Sequence, residues 1–149
     1  KSICMSNSIF DDMSESPMKT MMKVFLPEAL IPTKKNMTKL IKKLSGSHSE
    51  VFTDNELIME HYTWLFKGFN NMAMSFHEIK TFLPEQIDIL VKKAMFICGG
   101  RDPMVDTSKA IEKFMKYNAR YEILEDAGHG VNHEKAEKIN KMFTEYFKN

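Results

Sequence analysis

With 149 residues, 43% of them hydrophobic and 28% charged, the chain is long enough to bury one core, and it holds no apolar run near the roughly 20 residues of a membrane span. A formal net charge of +1 removes any electrostatic case for nucleic acid or an acidic membrane surface. The two cysteines, Cys4 and Cys98, lie in short apolar runs and read as buried small hydrophobes rather than a disulfide; no basic-then-apolar leader follows Lys1, so a cytoplasmic location is expected.

In chain order, residues 1–10 read as the end of a core strand, with Ile3-Cys4-Met5 apolar and Asn7, Asp11 and Asp12 breaking the run. Residues 11–85 read as helical. Met18, Met21, Met22 and Phe25 recur at helical spacing from Pro17 to Leu26, where Pro27 stops the pattern. Met37, Leu40, Ile41 and Leu44 mark a second helix, with Gly46 as its terminator. Thr53-Asp54-Asn55-Glu56 has the form of a capping box and predicts a third helix that buries Leu57, His61, Trp64 and Leu65. A fourth carries Met72, Phe76, Ile79 and Phe82 or Leu83 and ends before Pro84.

Over residues 86–149 the pattern becomes strand, helix, strand, helix. Ala94 to Cys98 is an uninterrupted apolar run, as expected of a parallel strand covered on both faces. Thr107 to Tyr117 predicts a helix burying Ala110, Ile111, Phe114 and Met115, and Tyr121 to Leu124 predicts the next strand. From about His133 to Phe147, Ala136, Ile139, Phe143 and Tyr146 share a face opposite Lys135, Glu137, Lys138 and Lys141. Alternating strands and helices predict an α/β fold with parallel strands flanked by helices.

Each strand of this part stops at a turn that presents one ionisable side chain. Asp102 stands in Gly99-Gly100-Arg101-Asp102-Pro103 and His129 in Asp126-Ala127-Gly128-His129-Gly130. A carboxylate at the end of a strand is placed to accept an imidazole N–H and to stabilise the imidazolium, and the alternative for Asp102 is a turn cap before Pro103. Gly128 and Gly130 are expected to permit a sharp turn around His129. His129 and His133, with Glu134 adjacent, have a metal-ligand spacing only if one helix spans both, which the two glycines oppose. His48, His61 and His77 read as surface or packed side chains, and Asp11 or Asp12 is an alternative acid.

An Asp and then a His, each just past a strand, resembles the C-terminal part of the α/β-hydrolase fold, and residues 11–85 sit where that family inserts a cap, or lid. The resemblance implies a serine esterase or lipase of small acyl esters, with His129 as general base and Asp102 as its orienter and with no organic or metal cofactor. The departure from the family is large: the chain contains no Gly-x-Ser-x-Gly, and Gly46-Ser47-His48-Ser49 lacks both the closing glycine and a preceding apolar strand. The family's core also needs further strands, so the expectation is a fragment of a longer protein, inactive alone, that forms a homo-oligomer or associates with the missing N-terminal part. The thirteen methionines favour ordinary packing between helices and, more weakly, an acyl substrate. The rival reading is a non-catalytic interaction module derived from the fold. A nucleotide-binding α/β domain has only Gly99-Gly100 in its favour.

Overall fold

A computed structural model of the chain describes residues 1–6, 21–26, 28–68 and 81–148. The described elements are β1 (Ser2–Met5), a π-helical turn (Met21–Phe25), a 3-10 turn (Glu28–Leu30), α1 (Lys34–Leu44), α2 (Glu50–Thr53), α3 (Glu56–Gly68), α4 (Pro84–Lys93), β2 (Ala94–Gly99), α5 (Thr107–Lys116), β3 (Arg120–Leu124), α6 (Val131–Glu134) and α7 (Ala136–Lys148).

The three strands form one parallel sheet in the order β1-β2-β3, with Ile3 opposite Met95, Cys4 opposite Phe96, and Cys98 opposite Ile123. Every residue of β2 is buried, because the sheet is covered on both faces. Ala94, Phe96 and Cys98 pack with Ile87 of α4 and with Ala110 and Phe114 of α5. Met95 and Ile97 pack with Leu124, Ala127, Val131 of α6, and Ile139 and Tyr146 of α7. Phe114 lies 5.1 Å from the Phe96 ring and 5.1 Å from the Tyr121 ring, and burial of each of the two phenylalanines stabilises the fold by about 1.5–3 kcal/mol. The Tyr146 hydroxyl donates to the Lys93 carbonyl at 2.9 Å, which ties α7 to the start of β2.

The segment before Pro84 has its own core of Met37, Leu40, Ile41, Phe52 and Met59, with Phe25, Ile58, Tyr62 and Phe66 packed against it. Thr33 caps α1 by accepting the Asn36 N–H at 3.2 Å. The Lys43 ammonium of α1 lies 2.6 Å from Glu28 in the preceding 3-10 turn and holds that carboxyl below the usual carboxylate range.

Several expectations are corrected here. Within Pro17 to Leu26 the described residues Met21–Phe25 are helical, as a π-helical turn, but Val24 is buried and Met22 exposed; Met18 and Pro27 lie outside the described residues. Thr53 ends α2 instead of opening α3, and the cap of α3 is Asn55, whose side chain accepts the Ile58 N–H at 3.2 Å. The buried face of α3 is Met59 with Ile58, Tyr62 and Phe66, while Leu57 is 76% and Trp64 64% exposed, and His61 and Leu65 are exposed too. The helix is apolar on both sides, so its own periodicity does not choose between them; α1 and Phe52 do.

Pro84 opens α4 at a position where its missing N–H costs nothing, and Phe82 and Leu83 lead into it exposed. Met72, Phe76 and Ile79 of the expected fourth helix lie outside the described residues. Met115 and Ala136 are exposed, Ile111 is half-buried, and the expected terminal helix is two helices parted at Lys135. Cys98 is buried, Cys4 is half-buried with its thiol pushed up by burial, and neither is in a disulfide.

Candidate active site

β2 ends at Gly99, and the turn that follows swings Asp102 back so that its N–H donates to the Gly99 carbonyl at 3.3 Å. The side chain is fully enclosed, with 0% exposure. Its two oxygens divide the work that the sequence left as alternatives. Oδ1 accepts the Met104 N–H at 2.8 Å and so caps the turn, and Oδ2 lies 2.9 Å from His129 Nδ1. A carboxylate can only accept, so Nδ1 carries the proton, which fixes the ring's tautomer and leaves Nε2 as the basic nitrogen. Among the described residues nothing bonds Nε2. The imidazole is 41% exposed, and its pKa is raised, first by the hydrogen bond to Asp102 and also by that residue's charge, with burial opposing.

The two loops reach each other because their backbones interlock. The Gly100 N–H donates to the Leu124 carbonyl and the Arg101 N–H to the Ala127 carbonyl, both at 2.9 Å. A Cβ on Gly99 would stand 2.2 Å from the Gly128 oxygen, and one on Gly130 would stand 2.5 Å from the Phe52 ring. Among the described residues no glycine takes a positive φ. Gly46 directly follows Ser45 at the end of α1, and Gly99, Gly128 and Gly130 stand where a side chain would collide with its neighbours. They serve close approach rather than left-handed turns, and α1 ends at Ser45 in extended geometry.

The third strand end also arrives at this point. Ser6, directly after β1, donates its N–H to the Ile97 carbonyl at 2.8 Å and its hydroxyl to the His129 carbonyl. Its φ of 52° lies in the left-handed region, a conformation that costs a residue other than glycine about 1–3 kcal/mol and is held only by its surroundings. From the helical segment, the Leu44 carbonyl accepts the His129 N–H at 2.7 Å. Sequence reasoning missed Ser6, Leu44 and Glu134. For Glu134 a signal existed: it falls three residues after Val131, in phase with the buried side of α6.

The remaining candidates lie elsewhere. His133 packs edge-on against Phe52 with ring centroids 5.2 Å apart, and His61 stands against Tyr62. His48 belongs to a surface cluster with Glu50, Asp126 and Lys135. His77, Asp11 and Asp12 are outside the described residues. Among the described residues no group of three or more His, Cys, Asp or Glu side chains could hold a metal ion, and no helix is long and apolar enough to cross a membrane. An open groove along α3, lined by Lys34, Met59, Trp64 and Lys67, contains neither Asp102 nor His129.

No protein-family model matches the chain, and no curated protein matches it.

Proposed function

We propose that the chain is the cap and C-terminal part of an α/β-hydrolase, a serine esterase or lipase acting on small acyl esters. The observation that carries this reading is the enclosed Asp102 carboxylate bonded to His129 Nδ1 across the ends of adjacent parallel strands. His129 takes the proton of a serine at Nε2 as that oxygen attacks the acyl carbon, then returns it to the leaving alcohol. Asp102 holds the ring and stabilises the imidazolium that forms between those steps. The serine, in a strand-to-helix elbow, and the backbone amides that receive the oxyanion come from a further segment of the protein. The outer edge of β1 pairs with no described strand and is the place for that segment, or for a second copy, to join the sheet.

The test is ester turnover. The product of the complete gene is expected to hydrolyse p-nitrophenyl butyrate and to lose that activity with His129→Ala, while the 149-residue chain alone is inactive. Activity of the complete product that is indifferent to His129 would overturn the reading. Absence of turnover by the complete product would likewise overturn it and would favour the non-catalytic interaction module, for which the exposed Leu57, Trp64 and Leu65 on α3 provide an apolar surface.

A further inference from the structure

Glu134 is only 7% exposed, yet it belongs to neither the acid nor the base. Its two carboxylate oxygens serve two different segments. Oε1 accepts the N–H of Gly128, the residue before His129, at 2.9 Å, and Oε2 accepts the N–H of Gly46, just beyond α1, at 2.9 Å. Hydrogen bonds from amides to a buried carboxylate are charge-assisted and among the stronger ones a fold makes. The same two segments meet again where the Ser47 N–H donates to the Asp126 carbonyl at 2.7 Å and the His129 N–H to the Leu44 carbonyl at 2.7 Å. They are also packed without a gap, since a Cβ on Gly128 would stand 2.3 Å from the Leu44 oxygen. On the other side of the same loop Ser6 holds the His129 carbonyl.

We infer that Glu134 is a positioning residue: by tying Gly128 to Gly46 it holds the backbone of His129 where the imidazole meets Asp102, and it makes the end of α1 part of the base's support. The inference rests on reading Asp102 and His129 as an acid–base pair and adds what keeps that pair in register. The physical need follows from the exposure of the ring. Water competes for a side chain that is 41% exposed, and a hydrogen bond weakens steeply once its angle opens. The bond to Asp102 therefore depends on a backbone that does not shift. Glu134 also gives the cap a route to the base, because a displacement of α1 would pull on Gly46 and, through one carboxylate, on Gly128.

The experiment is a pH titration of the imidazoles by long-range 1H–15N NMR on the 149-residue chain, comparing wild type with Asp102→Asn, Glu134→Gln and Glu134→Asp. Gln keeps the shape but turns an N–H toward one of the two amides, and Asp keeps the charge but is too short to span both. Asp102→Asn is expected to abolish the elevation of the His129 titration. Glu134→Gln is expected to lower the proton affinity of His129 about threefold or more, with an unchanged far-UV circular dichroism spectrum, and Glu134→Asp to fall between Gln and wild type. A folded Glu134→Gln chain with the wild-type His129 titration overturns the positioning role, and the acid–base reading survives if Asp102→Asn still acts. If Asp102→Asn leaves His129 unmoved, it is the acid–base reading that fails. Loss of fold in both Glu134 variants assigns the residue to stability alone and likewise overturns the proposal.

Discussion

Among the described residues two Asp–His pairs make a short contact, and they differ in enclosure and in how many partners share the carboxylate. Asp102 and His129 lie 2.9 Å apart, with the carboxylate enclosed and its second oxygen committed to the Met104 amide. Asp126 and His48 lie 3.2 Å apart on the surface, where Lys135 approaches the same Asp126 oxygen and also stands 3.0 Å from His48 Nε2, and Glu50 takes the other ring nitrogen at 3.1 Å. In the first pair the carboxylate is enclosed and each of its oxygens has one partner, so the charge of Asp102 acts on a single imidazole proton although the ring is 41% exposed. The second shares its charge among four groups in a high-dielectric setting, where such pairs contribute little. What separates a candidate acid–base pair from a surface ion cluster is therefore enclosure and exclusive partnership. The short contact is common to both.

The largest expected effect is on the proposed ester hydrolysis. Asp102→Asn and His129→Ala are each expected to lower kcat/KM by about three to four orders of magnitude, and the double variant should be little worse than His129→Ala. Asp126→Asn is expected to leave ester hydrolysis within about twofold. If the two Asp variants behave alike, the contrast between the pairs is lost.

Stability comes next. Asp102→Asn replaces an acceptor facing Nδ1–H and is expected to cost about 1–3 kcal/mol in urea unfolding of the chain, because it leaves a buried donor poorly matched. Asp126→Asn is expected to leave the urea midpoint nearly where it is.

The pH dependence of the two pairs runs in opposite directions. His129 has a raised pKa in the folded chain, so its contribution is complete below the ordinary imidazole value of 6.5 and is lost as pH rises through the higher folded value. That loss should be absent in His129→Ala. Asp126 is held down to about 2 from 3.8, first by Lys135 and then by His48, so its contribution, small at this solvated site, is present above 3.8 and is lost as pH falls toward 2. Lys135→Met should remove most of that acid-side dependence. Thermal melts across pH 2 to 9 test both slopes; a common slope in one direction would contradict the assignment.

The smallest effect is that of salt. Raising ionic strength from about 0.01 to 1 M shortens the screening length from about 30 to 3 Å and should weaken the Asp126 cluster, while the His129 titration in the enclosed pair moves little.

Much of the sheet and its site was legible in the residues. The run from Ala94 to Cys98 has no polar break because both of its faces are covered, and the residues after it and after Leu124 carried the ionisable groups that the structure brings together. The helical segment was less legible for a definable reason. α3 is apolar on both sides, so Leu57, Trp64 and Leu65 looked as buriable as Met59, Tyr62 and Phe66, and only the position of α1 and Phe52 selected the second set. The glycines marked positions where a bulkier residue is not tolerated, but not the reason. A glycine advertises backbone freedom, yet Gly46, Gly99 and Gly128 are needed for the volume they leave empty, and that depends on what lies opposite.

By itself the amino-acid sequence determined what is set by neighbours along the chain: the buried strand β2, the amphipathic faces of α1 and much of α5, and an Asp and a His each placed just after a strand. Those features depend on periodicities of two or of three to four residues, which a short window contains. The tertiary structure alone decided the rest. Parallel pairing of β2 with β3 set the 2.9 Å contact between residues 27 positions apart, and the return of α1 against the His129 loop gave Glu134 an acceptor role toward an amide 88 positions away. Such partners have no fixed spacing in sequence; their meeting is fixed by how whole elements pack, and by the absence of side chains where two backbones must touch.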